Sequence, residues 1–186
     1  MTFQLLKPQL EYLPHYAAAL ERGWSPDNLR GVLAAQEMLK AIAEDPIAFI
    51  HSLDDIEAKG APITLPDGSL VPRLPSYHRW MWDGEFCGSI GFRWQPGTSA
   101  LPPYVLGHVG YGVVPWKRGR GYARQALRLL LPEIRLRGLS SIDITTDLDN
   151  HASQRVITGC GGVLIERFHE PQTHGGREGL RYRIDL

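Results

Sequence analysis

The chain has 186 residues, 43% hydrophobic and 22% charged, which suits one globular domain able to bury a full core. Its formal net charge is zero, so a surface given over to nucleic acid or membrane is excluded and any anion binding has to be local. The start MTFQLLKPQL lacks the cationic start, apolar run and cleavage site of a signal peptide, and no stretch approaches about eighteen apolar residues, so a soluble, cytoplasmic protein without membrane association is expected. Cys87 and Cys160 are too few for a disulfide framework and lack metal-ligand spacing; buried free thiols and no metal site are expected.

The first third reads helical. LPHYAAALERG closes on Gly23, and SPDNLRGVLAAQEMLKAIAED offers Ser25 as an N-cap with Pro26 just inside it. DPIAFIHSLDDIEAKG repeats the pattern up to Gly60, with Asp54, Asp55 and Glu57 as a solvated face. Residues 61–75, rich in proline and glycine, read as a loop within the domain. The period then changes to two: SYHRWMW, the turn Asp83-Gly84 and EFCGSIGFRW form a hairpin. A further strand, YVLGHVGYGVV, precedes an amphipathic helix, YARQALRLLLPEIRLRG, whose apolar face is Ala123, Ala126, Leu127, Leu130, Leu131 and Ile134, with a kink expected at Pro132. SSIDITTD reads as a strand, NHASQRVITGCG as a short helix, and GVLIERF and LRYRIDL as two closing strands.

Between strand and helix, Lys117, Arg118, Arg120 and Arg124 gather around Gly119 and Gly121. A helix N-terminus carries unpaired N–H groups and about half a positive charge, so a glycine-rich turn entering one is suited to an anion. The dinucleotide fingerprint needs glycine where Arg124 stands, and a P-loop needs G-K-S or G-K-T, which is absent.

The run Arg118, Gly119, Arg120, Gly121, Tyr122, Ala123 fits R-x-x-G-x-A and closely resembles the acyl-CoA motif of the GNAT superfamily of N-acyltransferases. The downstream TTDLDNHASQRVITGCGGVL resembles that family's next strand and helix, with Asn150 at its asparagine position, and the likeness spans roughly residues 77 to 186. It implies a single α+β domain over 1–186: a central, twisted, mostly antiparallel sheet, splayed at the strand before the loop and flanked by helices, with 1–75 on the acceptor side and 76–186 carrying the hairpin, CoA core and closing strands. It further implies acetyl-CoA as co-substrate, held by Val113, Val114, Arg118, Gly119, Arg120, Gly121, Tyr122, Ala123, Asn150 and Ser153, and acetyl transfer to a primary amine by direct attack. Asn150 also suits a helix N-cap, and Tyr122 suits packing, with its backbone N–H the useful part.

Direct attack needs a neutral amine, a polarised thioester carbonyl and a proton for the departing thiolate. His108 is the titratable group on the strand where the family often has a glutamate base, one residue out of register; a structural histidine is the competing reading. The amides of Val113 and Val114 suit an oxyanion hole. The family's frequent acid, a tyrosine seven residues after the asparagine, is Ile157 here, which leaves Ser153, a nearby tyrosine or water to help the thiolate, or a chain that binds CoA with little turnover. The acceptor is a small-molecule or peptide amine; Trp24, Trp80, Trp82, Asp83 and Glu85 suit either a cation site or the core, and a homodimer stays open. A CoA-binding sensor is the alternative to an enzyme, and an RNA-binding module using the basic helix ranks last.

Overall fold

A computed structural model describes residues 2–65, 67–170 and 176–186. In chain order the elements are β1 (Gln4–Leu6), α1 (Leu13–Glu21), α2 (Val32–Glu44), α3 (Pro46–Ser52), β2 (Asp54–Asp55), β3 (Ile63–Thr64), β4 (Leu70–Val71), β5 (Ser76–Trp82), β6 (Phe86–Arg93), β7 (Val109–Val113), α4 (Tyr122–Arg135), β8 (Ser141–Asp147), α5 (His151–Thr158), β9 (Val163–His169) and β10 (Glu178–Asp185).

The aromatic strands β5 and β6 pair as the expected hairpin, Ser76 opposite Arg93, with Asp83-Gly84 in the turn. β7 extends this sheet beyond β6, while β1 and β2 flank β5, every pairing antiparallel. β8, β10 and β9 form a second antiparallel sheet. β7 and β8 are consecutive strands joined by α4, yet they belong to different sheets. The mixed α+β fold with a splay at β7 is therefore as the sequence implies.

β5 is covered on both faces. Tyr77 and Met81 join a core built with Leu127, Leu130 and Ile134 of α4 and Ile142 and Ile144 of β8. Trp80 turns the other way, into a second core with Tyr16, Trp24, Phe49 and Phe86, where Tyr16 stacks on it at 4.9 Å between ring centres. Each fully buried side chain of this size contributes about 1.5–3 kcal/mol, so the two cores hold the hairpin from both sides and make it the rigid reference for the site.

Two local departures have physical causes. The helix expected from Ser25 begins at Val32, because the Asp27 carboxylate accepts from the amides of Leu29 and Arg30, both at 2.9 Å, and winds residues 27–30 into a separate turn. The helix expected to reach Gly60 ends at Ser52. Asp54 and Asp55 pair with Tyr77 and Ser76, and Asp55 accepts from the amides of Lys59 and Gly60, so these acids organise backbone rather than form a solvated face. α4 carries Pro132 inside it and runs on to Arg135. The strand read from Tyr104 is confined to Val109–Val113, and β1 had no alternating signal in its three residues.

Candidate active site

The wedge between β7 and β8 widens into a cleft of about 740 Å³, bounded by the first turns of α4 and α5. The ladder explains why β7 can line it. Arg93 N donates to His108 O and Val114 N to Cys87 O, so with the one-to-one register of β6 and β7 the bonded pairs fall on alternate residues. The amides and carbonyls of Val109, Tyr111 and Val113 then point away from β6, toward the cleft. Such groups need partners, and an extended amide-bearing chain laid along β7 supplies them.

At the open end, Gly119 and Gly121 have φ of +79° and +77°, and Gly121 is the N-cap of α4 with no side chain capping the helix. Nothing crowds either Cα: Gly119 has open space and Gly121 only Gln125 Nε2 at 4.0 Å. The glycines are thus required by backbone conformation, which turns the first-turn amides of α4 toward the cleft. Arg118, Gly119, Gly121, Tyr122, Ala123 and Arg124 line it, and the Arg118 Nε donates to Val113 O at 3.3 Å.

On the far wall Asn150 caps α5, its side chain accepting from Ser153 N at 3.0 Å, so cap and cleft wall coincide. Ser153 Oγ lies 2.8 Å from Tyr111 OH, a hydroxyl pair spanning from α5 to β7. Burial pushes the Tyr111 phenol up to about 12, so it stays protonated near neutrality. Glu170 also lines the cleft; its Oε2 is buried with no hydrogen-bond partner among the described residues, and Arg177 Nε stands 4.0 Å away.

Of the sequence-derived site residues, Val113, Arg118, Gly119, Gly121, Tyr122, Ala123, Asn150 and Ser153 meet at this cleft. Val114 does not: its side chain is fully buried and its amide is spent on Cys87 O, which leaves the Val113 amide as the donor on the cleft side. Arg120 lies instead beside Asp83, Glu85 and Trp116 on another surface.

His108 requires a correction. It is fully buried and absent from the cleft wall; its amide donates to Asp143 O at 2.8 Å and its Nδ1 accepts from Asp143 N at 2.9 Å. The imidazole stands in for a backbone carbonyl and closes the narrow end of the wedge. Burial pushes it below its ordinary value of 6.5, and with Nδ1 taken by Asp143 N and the ring off the cleft wall it does not face the cleft as a base. Ile157 is likewise fully buried, and its Cγ2 sits against Gly162 where a Cβ would fall; a tyrosine there would overpack the core rather than reach the cleft. Trp24 and Trp80 are core, and Trp82 packs on Tyr12 and His15 at 4.8 and 4.9 Å, so none of the three forms a cation site in this cleft.

Tyr111 and Glu170 are the residues sequence reasoning missed. The alternation of the β7 ladder was a signal for Tyr111; Glu170 follows the end of β9 and had none.

The sequence profile of the acetyltransferase (GNAT) domain matches residues 70–163, more than half of the chain. The chain belongs to this family of acetyltransferases, and the matched segment takes in β7, the glycine-rich loop and α4. It is accordingly an acyl-CoA-dependent N-acetyltransferase. Among solved structures, a ribosomal L7/L12 alpha-N-protein acetyltransferase, RimL, in complex with coenzyme A has the same fold at 16% identity and a TM-score of 0.64, covering 100% of this chain and 95% of that one. The microcin C7 self-immunity acetyltransferase MccE, in complex with acetyl-CoA and AMP, matches at 16% identity and 0.63, over 99% and 92%. The Salmonella typhimurium acetyltransferase that modifies the N-terminal serine of ribosomal protein L7/L12 matches at 16% and 0.63, over 100% and 96%. No curated protein matches the sequence. Among the described residues no helix is long and apolar enough to cross a membrane, and no group of three or more histidine, cysteine, aspartate or glutamate side chains could hold a metal ion.

Proposed function

We propose that acetyl-CoA lies in the wedge, its pantetheine along the free edge of β7 and its pyrophosphate on the amides of Gly119–Ala123, and that a primary amine attacks the thioester directly. The carrying observation is the alignment along one cleft of two backbone sets, the edge of β7 that faces away from β6 and the uncapped first turn of α4. Arg118 and Arg124 add positive charge beside the diphosphate position, while the amides carry most of the contact. Asn150 and Ser153 form the opposite wall.

In this reading the Val113 amide polarises the thioester carbonyl, where developing negative charge gains most from a fixed donor. The Tyr111–Ser153 hydroxyl pair supplies the proton to the departing thiolate, replacing the acid that Ile157 cannot provide. Glu170 is the carboxylate placed to take the proton of the incoming ammonium. The acceptor is a small-molecule amine or a peptide amine; RimL and MccE, of the same fold, act on a protein amine and in microcin immunity respectively. A cytoplasmic location accords with this co-substrate.

Purified protein with acetyl-CoA and a panel of small amines and peptides with free N-termini, followed by thiol release, tests the reading. Acceptor-dependent release supports it. Tight acetyl-CoA binding without release across the panel would favour a CoA sensor instead.

A further inference from the structure

Lys117 and Tyr122 bracket the loop Arg118–Gly121: one ends the short 3-10 turn Pro115–Lys117 before it, and the other opens α4 after it. Both side chains converge on a single carboxylate. Lys117 Nζ donates to Asp83 Oδ1 at 2.6 Å, and Tyr122 OH donates to Asp83 Oδ2 at 2.5 Å. Asp83 sits in the turn of the β5–β6 hairpin, which is gripped by both cores.

The pairing is sheltered. Lys117 is only 6% exposed, and the Asp83 side chain 16%. Burial alone would push the Asp83 carboxyl up, yet the hydrogen bonds from Lys117 and Tyr122 hold it well below the usual carboxylate range. Glu85, 3.3 Å from the same ammonium, is 69% exposed and cannot take over this role in a screened position. On its other face Tyr122 stacks on Phe3, with ring centres 5.2 Å apart, so its ring is held while its hydroxyl reaches Asp83.

A loop with two glycines at positive φ loses more freedom on ordering than other backbone, and that loss would be charged against every ligand it binds. Fixing both ends beforehand removes much of that loss. We propose that Asp83 is a positioning residue for the phosphate loop: by holding Lys117 and Tyr122 at once, its carboxylate ties the loop's two ends to the rigid hairpin and sets the affinity for acyl-CoA. The proposal rests on the reading of this cleft as the acyl-CoA site. Asp83 belongs to neither apolar core, and its Lys117 and Tyr122 donors stand at the two ends of the loop, so its removal should cost ligand affinity beyond the stability lost by leaving the buried Lys117 ammonium without its closest partner.

The test is acetyl-CoA calorimetry, steady-state kinetics and thermal melting on the full chain, its Asp83→Asn and Tyr122→Phe variants and the double variant. Asp83→Asn should raise Kd and KM for acetyl-CoA about tenfold, with kcat at saturation within about twofold of the parent. Tyr122→Phe should raise Kd about threefold in the parent and hardly at all beside Asp83→Asn, because the two losses share one interaction. Parental Kd in a folded Asp83→Asn variant, including one with a lowered Tm, overturns the proposal, as do fully additive losses in the double variant. Should Asp83→Asn not fold, Tyr122→Phe, which spares the Lys117 pair, still decides: an unchanged Kd overturns the clamp. Failure of the underlying reading looks different, since the parent itself would then give no heat with acetyl-CoA.

Discussion

Two long helices of this chain begin in the same unusual way and end up with different duties. α2 and α4 both start after a glycine at positive φ, Gly31 at 49° and Gly121 at 77°, and neither has a side-chain cap. Before α2, Asp27 gathers the amides of Leu29 and Arg30, so an acid from the chain itself serves that turn. No acid does so at α4, where the neighbours along the cleft are Arg118 and Arg124. The first-turn amides of both helices lack a side-chain cap, and what sets α4 apart is that its start lines a cleft with Arg118 and Arg124 beside it, the arrangement the proposed anion site needs.

The comparison breaks most sharply at its glycines. Gly121→Val should lower acetyl-CoA affinity about a hundredfold by calorimetry with the circular dichroism spectrum retained, since a β-branched residue resists φ of this sign. Gly31→Val carries similar strain and should lower Tm while leaving that affinity alone; equal affinity losses at both would erase the distinction. Next comes the chemistry beside α4. Tyr111→Phe should reduce kcat about tenfold with KM for acetyl-CoA unchanged, because it removes the hydroxyl paired with Ser153 but no proposed cofactor contact.

Smaller effects sharpen the same contrast. Arg118→Ala should weaken acetyl-CoA binding only about threefold, and less in high salt, if amides carry the contact. Asp27→Ala should cost about 1 kcal/mol of stability with no change in affinity. The His108 value is depressed in the fold, so the unfolded chain takes up the proton first; its share of stability is complete above about pH 6.5 and fades as pH falls toward the lower folded value. His108→Gln should lessen the acid-side slope in pH-dependent melting without abolishing it, because burial holds His78 below its ordinary value as well.

The C-terminal half was largely legible because its signals are local. Glycines with cations before an amphipathic stretch, a D-G turn between aromatic strands and an asparagine opening a helix each act within a few residues, and β5, β6, α4, β8, α5, β9 and β10 stand close to where the sequence puts them. Failures came where a side chain answered a partner far along the chain. His108 meets Asp143 and Tyr111 meets Ser153, and neither pairing has any trace in local pattern. The N-terminal acids misled for a related reason: Asp27 and Asp55 bind nearby amides, which turns residues of ordinary helical composition into turns and a short strand.

β9 carries a consequence for the molecule's behaviour in concentrated solution. It ends its sheet, bonded only to β10 among the described strands, and Val163, Leu164 and Ile165 are 65%, 50% and 45% exposed. A free strand edge with consecutive apolar side chains invites another strand. Glu166 and Arg167 follow at once and interrupt the run after three residues, in the manner of gatekeepers that leave a pairing segment too short to propagate. Neutralising Glu166 and Arg167 would lengthen the apolar run on this free edge and would be felt as lost solubility at high concentration.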